Sequence, residues 1–233
     1  MADLKAVLFD VDGVLLDSLA PHLKICEDLN REYGIGLRIP EAAEFRNMVR
    51  GGMKISPMEH FFSAVGFPER LARRANRRYQ EIFMQCYAPA PFPGTREMLQ
   101  ALHGLCLQLG VVTSNVAANV VAALGPSMDF FQAECIFSKD NMGASKREAV
   151  IAAMSVLSSG PAETLYVGDQ PADRQAALEA GVSFLGVSYG WGISKEDVGF
   201  PIVGDVTEIY PYIVSNWTVP RPVPTLDGLP RRT

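Results

Sequence analysis

Short apolar runs recur along the chain at Ala6 to Phe9, Leu107 to Val112, Cys135 to Phe137, Thr164 to Val167 and Val182 to Val187. Runs of this length that do not alternate with polar residues read as strands buried on both faces of a parallel sheet. Between them, apolar residues return every three or four positions over Thr95 to Leu102, Val116 to Leu124, Lys146 to Leu157 and Pro171 to Ala180, where Gly181 caps the last helix. Strand alternating with helix predicts an α/β fold built on a doubly wound parallel sheet, whose ligands meet at the carboxyl ends of the strands. Asp10, Thr113 and Asp169 each fall at or just after such an end.

The rhythm breaks between Asp17 and Pro91, where helical patterns follow one another without a strand. Leu19, Leu23, Cys26, Leu29 and Tyr33 recur at helical intervals until Gly34. Ser56-Pro57-Met58-Glu59 predicts a capping box with Pro at the first helical position, and Leu71, Ala75, Tyr79, Ile82 and Cys86 mark a third helix. The expected division is a core of residues 1–16 and 92–214, a helical insert of 17–91 hinged at Asp17-Ser18 and Pro89 to Gly94, and a tail of 215–233. That tail carries Pro220, Pro222, Pro224 and Pro230 without periodicity and reads as extended or without fixed structure.

Of 233 residues, 48% are hydrophobic and 20% charged, enough apolar surface to offset the entropy of ordering. The net charge of -5 argues against a general nucleic-acid binder, which needs a basic face. Cys26, Cys86, Cys106 and Cys135 are too scattered for a metal knuckle or a disulfide scaffold, so reduced thiols and a cytoplasmic location are expected. The first apolar run is far short of the roughly 20 residues that span a bilayer, and no membrane partner is expected. No feature of the sequence addresses oligomeric state.

Asp10-Val11-Asp12-Gly13 follows the first strand. Such a pair is common in turns, but at a buried strand end one carboxylate can attack phosphorus while the other moves a proton. A cation must then offset the repulsion between carboxylate and phosphate. Thr113-Ser114-Asn115 ends the next core strand with hydroxyl and amide donors and leads into a helix N-terminus, which is either a phosphate cradle or a plain cap. Lys146 opens a helix and would neutralise charge at the same edge. Asp169 and Asp173, four apart after a strand, suit Mg²⁺, which takes one or two carboxylates with waters and phosphate oxygens; the alternative is an ordinary helix start.

In this order, and over roughly residues 5 to 190, these four motifs resemble the haloacid dehalogenase superfamily in its phosphoglycolate-phosphatase-like branch. The resemblance implies a Rossmann-like core with the insert as a cap, a phosphatase for a small phosphorylated metabolite, and Mg²⁺. It also implies roles. Asp10 matches the nucleophile that forms an aspartyl-phosphate, and Asp12 the general acid and base. Thr113 and the Ser114 amide match the phosphate-binding motif, with Asn115 adding a contact, and Lys146 matches the motif lysine. Asp169 matches the metal ligand that acts with the Asp10 carboxylate and the Asp12 carbonyl, and Asp173 supports the metal waters or Lys146. Arg147 stands where phosphoglycolate phosphatases usually have Pro, and Lys139 is the rival to Lys146. Asp12 favours a phosphate ester, since dehalogenases and phosphonatases of similar fold lack an aspartate there.

In the insert, Arg50-Gly51-Gly52-Met53-Lys54 reads either as a loop that lowers Arg50 and Lys54 onto a substrate or as a simple turn. Arg70, Arg73, Arg74, Arg77 and Arg78 read as a solvated helix face. His22, His60 and His103 have no metal spacing, and Trp191 reads as site rim or as packing between core and tail. A phosphomutase remains the nearest alternative function. A phosphorylatable receiver is disfavoured by the roughly 75-residue insert, and a non-catalytic binding protein by the retained catalytic groups.

Overall fold

A computed structural model describes residues 2–141, 143 and 145–220. Strand β1 (Ala6–Phe9) leads through the short β2 (Leu16–Asp17) into four helices, α1 (Leu19–Tyr33), α2 (Ala42–Arg50), α3 (Met58–Ala64) and α4 (Glu69–Cys86). The chain returns through β3 (Ala90–Pro91) to α5 (Thr95–Gly104), β4 (Gln108–Val112), α6 (Ala117–Leu124), β5 (Ile136–Phe137) and α7 (Lys146–Val156). It continues with β6 (Thr164–Gly168), α8 (Pro171–Ala180), β7 (Ser183–Val187), β8 (Ile202–Val203) and α9 (Ile209–Asn216).

Six strands form one sheet in the order β5-β4-β1-β6-β7-β8, with every pairing parallel. All four β1 residues are buried because helices cover both faces. Val7, Phe9, Val111 and Val167 face one cluster with Leu99 and Leu102 of α5, Val120 of α6 and Ile213 of α9. Ala6, Leu8 and Tyr166 face the other with Val150 of α7 and Ala177 of α8. The two-residue period of a strand thus divides β1 between two cores. Phe9 pairs with both Val111 and Val167, so the chain leaves β1, β4 and β6 along one edge. That edge is where Asp10, Thr113 and Asp169 stand.

The four inserted helices bury a separate cluster, with Cys26, Leu29, Phe45, Phe61, Phe62, Ala75 and Phe83 at its centre. The two expected hinges are joined, because β2 and β3 pair antiparallel through Leu16 with Pro91 and Asp17 with Ala90. Two expectations are corrected. The capping box at Ser56 does not form: Pro57, with extended backbone, is the N-cap, and its carbonyl accepts from the His60 and Phe61 amides without any side-chain cap. Helix α9 reaches Asn216, inside the segment assigned to the tail, and Thr218 exchanges main-chain hydrogen bonds with Ala2 and Leu4. Pro222, Pro224 and Pro230 lie outside the described residues.

Candidate active site

The turn after β1 is held tightly, with Gly13 N donating to Leu16 O and the Leu15 and Leu16 amides to Val11 O. Gly13 adopts φ +83°, and a Cβ there would run into the Asp169 carboxylate and the Trp191 ring, so only glycine fits. Asp10 is 3% exposed; its Oδ1 accepts from the Val11 amide at 2.8 Å and its Oδ2 from Lys146 Nζ at 2.9 Å. Burial is the largest influence on Asp10, exceeds the attraction of Lys146, and pushes its carboxyl up to about 6.

Lys146 reaches back from the start of α7 and donates to Asp173 Oδ1 at 2.6 Å as well as to Asp10. Burial works against its charge, but Asp10 and Asp173 prevail and hold the ammonium well above the ordinary lysine range. Lys139 is in no ion pair among the described residues, and its amide donates to Asn115 O. The geometry therefore favours Lys146 over its rival. Asp173 is fully occupied: Oδ1 also accepts from the Tyr166 hydroxyl at 3.2 Å, and Oδ2 from the Asp169 and Gln170 amides at 3.2 and 3.0 Å. Its carboxylate anchors Lys146 and the start of α8.

Asp169 is fully buried, with Oδ2 accepting from the Trp191 amide at 2.6 Å and Oδ1 left without a partner among the described residues. Burial, then the charges of Asp173 and Asp10, push its carboxyl well up. One oxygen each of Asp10, Asp169 and Asp173 lies within 4.8 Å of the others. Three carboxylates face one ammonium here, and Asp169 Oδ1 is an orphaned buried acceptor, so the donor set fits a hard divalent cation held by Asp10 and Asp169. Asp12 is not in that trio of side chains; its Oδ2 accepts from Asn115 Nδ2 at 2.8 Å, and its Oδ1 is buried without a partner among the described residues.

At the end of β4, Thr113 Oγ1 accepts from the Asn115 amide at 3.2 Å. The Asn115 side chain, expected to touch phosphate, is committed elsewhere, to Asp12, to the Val116 amide at 2.7 Å and to Asn119 at 3.1 Å. The first amide of α6, Ala117 N, is capped by Asp140 Oδ2 at 3.0 Å. Arg50 ends α2 on the surface, with a guanidinium nitrogen 3.8 Å from Glu196 Oε2, and Lys54 is exposed; among the described residues neither bonds to the aspartate cluster. The arginine-rich face of α4 is solvated as expected, with Arg73 on Glu69, Arg78 on Glu81 and Arg74 over the Tyr33 ring.

Pattern reading did not find three participants. Tyr166 looks like one more strand residue, yet its hydroxyl lies 3.1 Å from Val112 O and 3.2 Å from Asp173. Arg46 looks like one more helix-surface cation, yet it donates to Gly190 O at 2.6 Å and to Tyr189 O at 3.4 Å, across 144 and 143 residues. His22 is buried, bonded to Ser18 O at 2.6 Å and to the Tyr79 hydroxyl at 3.1 Å, and packed on Trp191. Trp191 thus bridges core and insert, not core and tail. Its flanking glycines, Gly190 and Gly192, were the available signal.

Residues 7–187 match the haloacid dehalogenase-like hydrolases. The chain is similar to the N-acetylmuramic acid 6-phosphate phosphatase of Pseudomonas aeruginosa, 30% identical over 202 residues that cover 83% of this chain and 85% of that protein. It is also similar to the phosphoglycolate phosphatase of Pseudomonas savastanoi pv. phaseolicola, 29% identical over 224 residues, 89% of this chain and 79% of that one. Its fold is like that of a haloacid dehalogenase-like hydrolase from Streptococcus pneumoniae, with TM-score 0.73 at 21% identity over 90% of this chain and 98% of that one. Because the match runs from β1 through β7 and takes in every strand end that carries the aspartates, the chain belongs to the haloacid dehalogenase-like hydrolase family.

Proposed function

We propose that the protein is a Mg²⁺-dependent phosphatase that hydrolyses a small phosphorylated metabolite through an aspartyl-phosphate on Asp10. The observation that carries this reading is Asp10 held beside Lys146 and Asp169 at the end of β1, with Asp12 two residues on and bonded to Asn115. An Asp10 oxygen attacks phosphorus, the ester P–O bond breaks, and the proton on Asp12 goes to the leaving alcohol. Asp12 then takes a proton from water, whose oxygen attacks the same phosphorus and releases phosphate and free Asp10. Thr113 and the Ser114 amide hold the phosphoryl oxygens, and Lys146 offsets their charge. Asp10 and Asp169, with Asp12 through its carbonyl and Asp173 in support, would hold Mg²⁺. The ion, when bound, offsets the repulsion between carboxylate and phosphate.

Residues 17–91 act as the cap over this edge, with 1–16 and 92–214 as the catalytic core. The named relatives point to N-acetylmuramic acid 6-phosphate and phosphoglycolate, both phosphate esters that carry a carboxylate. A phosphorylated acid is therefore the first substrate class to assay, with Arg50 and Lys54 as the cap cations to meet it. The test is p-nitrophenyl phosphate turnover with and without Mg²⁺, for wild type and Asp10→Asn. Turnover that needs Mg²⁺ and disappears in the variant is expected; a variant as active as wild type overturns the nucleophile. The burial of Asp10, 3% exposed, favours a second reading, since a phosphomutase must shield its phospho-enzyme from water. Phosphoryl groups moving between sugar positions without free phosphate would establish that reading instead.

A further inference from the structure

The loop after β7 makes two sets of contacts, one with the core and one with the insert. Toward the core it grips Asp169: the Trp191 amide donates to Oδ2 at 2.6 Å, and the Gly192 and Ile193 amides donate to the Asp169 carbonyl at 3.1 and 2.7 Å. Toward the insert it carries the Trp191 side chain, 5% exposed, into the helical cluster, with ring centroids 5.0 Å from His22, 6.1 Å from Phe45 and 5.9 Å from Phe61. Arg46 of α2 adds hydrogen bonds to Gly190 O and Tyr189 O. The loop is pressed from both sides. A Cβ on Gly190 would collide with the Asp169 side chain and the Gly13 carbonyl, and one on Gly192 would lie 2.9 Å from Val49 Cγ1 of α2.

We infer that Trp191 is a positioning residue that couples the seating of the helical insert to the orientation of the Asp169 carboxylate. This rests on the proposed metal site. One residue holds Asp169 Oδ2 with its main chain and the insert with its ring, so a shift of the insert must move the Trp191 amide. The Asp169 Oδ1 left free by this arrangement is the oxygen available to a metal ion. Such coupling is reciprocal: an ion that fixes Asp169 also favours the seated insert. The indole N–H of Trp191 makes no hydrogen bond among the described residues, so the ring acts by packing and phenylalanine should conserve the effect.

Mn²⁺ serves as the probe, since it shares the oxygen-ligand preference of Mg²⁺, with the free ion counted by electron paramagnetic resonance. Relative to wild type, Trp191→Ala is expected to weaken Mn²⁺ binding about tenfold, Trp191→Phe by less than about twofold, and Arg46→Ala by an intermediate factor, a tenfold change corresponding to about 1.4 kcal/mol. A merely structural role would lower the melting temperature while leaving Mn²⁺ affinity of the folded protein unchanged, and that result overturns the inference. Where Trp191→Ala does not fold, Arg46→Ala decides: unchanged Mn²⁺ affinity refutes the coupling and weakened affinity supports it. In Trp217→Phe protein, Trp191 is the sole tryptophan, and its fluorescence should change on adding Mn²⁺. A wild type that binds no Mn²⁺ refutes the metal-dependent reading itself, which is distinct from a wild type that binds while the variants bind equally well.

Discussion

Asp10 carries a charge where burial opposes one. Its ordinary pKa of 3.8 is pushed up to about 6, since desolvation outweighs the nearby ammonium. A native carboxyl with a raised pKa holds its proton more tightly than the unfolded chain does. Its stabilising contribution is complete below the unfolded value, near 4, and is lost as the pH rises through about 6. At neutral pH and without metal, ionised Asp10 therefore destabilises the fold. Asp10→Asn should raise stability at pH 7 in the presence of a chelator by about 1–3 kcal/mol, and should flatten the decline between about pH 4 and pH 6. Urea denaturation across that range measures both effects; a variant less stable than wild type at pH 7 would mean that the Lys146 ion pair, and not desolvation, governs this carboxylate.

Helix α9 tests where the folded core ends. Ile209 and Ile213 are fully buried in the cluster that also holds Met98, Leu99 and Leu102 of α5, although pattern reading found no helix there. Ile213→Ala should lower stability by about 2–5 kcal/mol, read from the urea midpoint at unchanged slope. A loss below about 0.5 kcal/mol would mark α9 as a surface appendage. The contrast between this helix and β1 explains what the sequence disclosed. Strand β1 is buried on both faces, so its apolar run is unbroken and stops where Asp10 begins; the same logic located Thr113 and Asp169. Helix α9 has only two fully buried positions and an internal Pro211, too little periodicity to stand out. The roles of Arg46 and of Trp191, the latter singled out in the sequence only as site rim or packing, were hidden for a different reason. They come from contacts between segments about 140 residues apart, and local spacing carries no information about them. The hydrogen bond from the Asn115 side chain to Asp12 was hidden likewise, since the two lie 103 residues apart.

At the scale of the molecule, two hydrophobic clusters meet across one edge of the sheet. Trp191 sits in the cluster of the helical insert, and Trp217 packs against the central cluster of the sheet, so the two tryptophans report on different bodies. Asp10 and Asp169 lie between these bodies, with 3% and 0% of their surface exposed. If the loop from Tyr189 to Ile193 joins the two bodies as its hydrogen bonds indicate, they should unfold together, because separating them would free Arg46 and expose Trp191. Variants Trp217→Phe and Trp191→Phe each leave one reporter, and their melting curves should share a midpoint as expected for a single cooperative transition. Mg²⁺ at about a hundred times its dissociation constant adds about 2.7 kcal/mol to the state that binds it. For a chain of this size that moves the midpoint by about 5–10 °C. The increase should appear equally at both tryptophans, though only the sheet edge supplies the metal carboxylates. A rise confined to Trp217 would mean that the insert melts on its own, and that the grip of Trp191 on Asp169 does not extend to the helices around its ring.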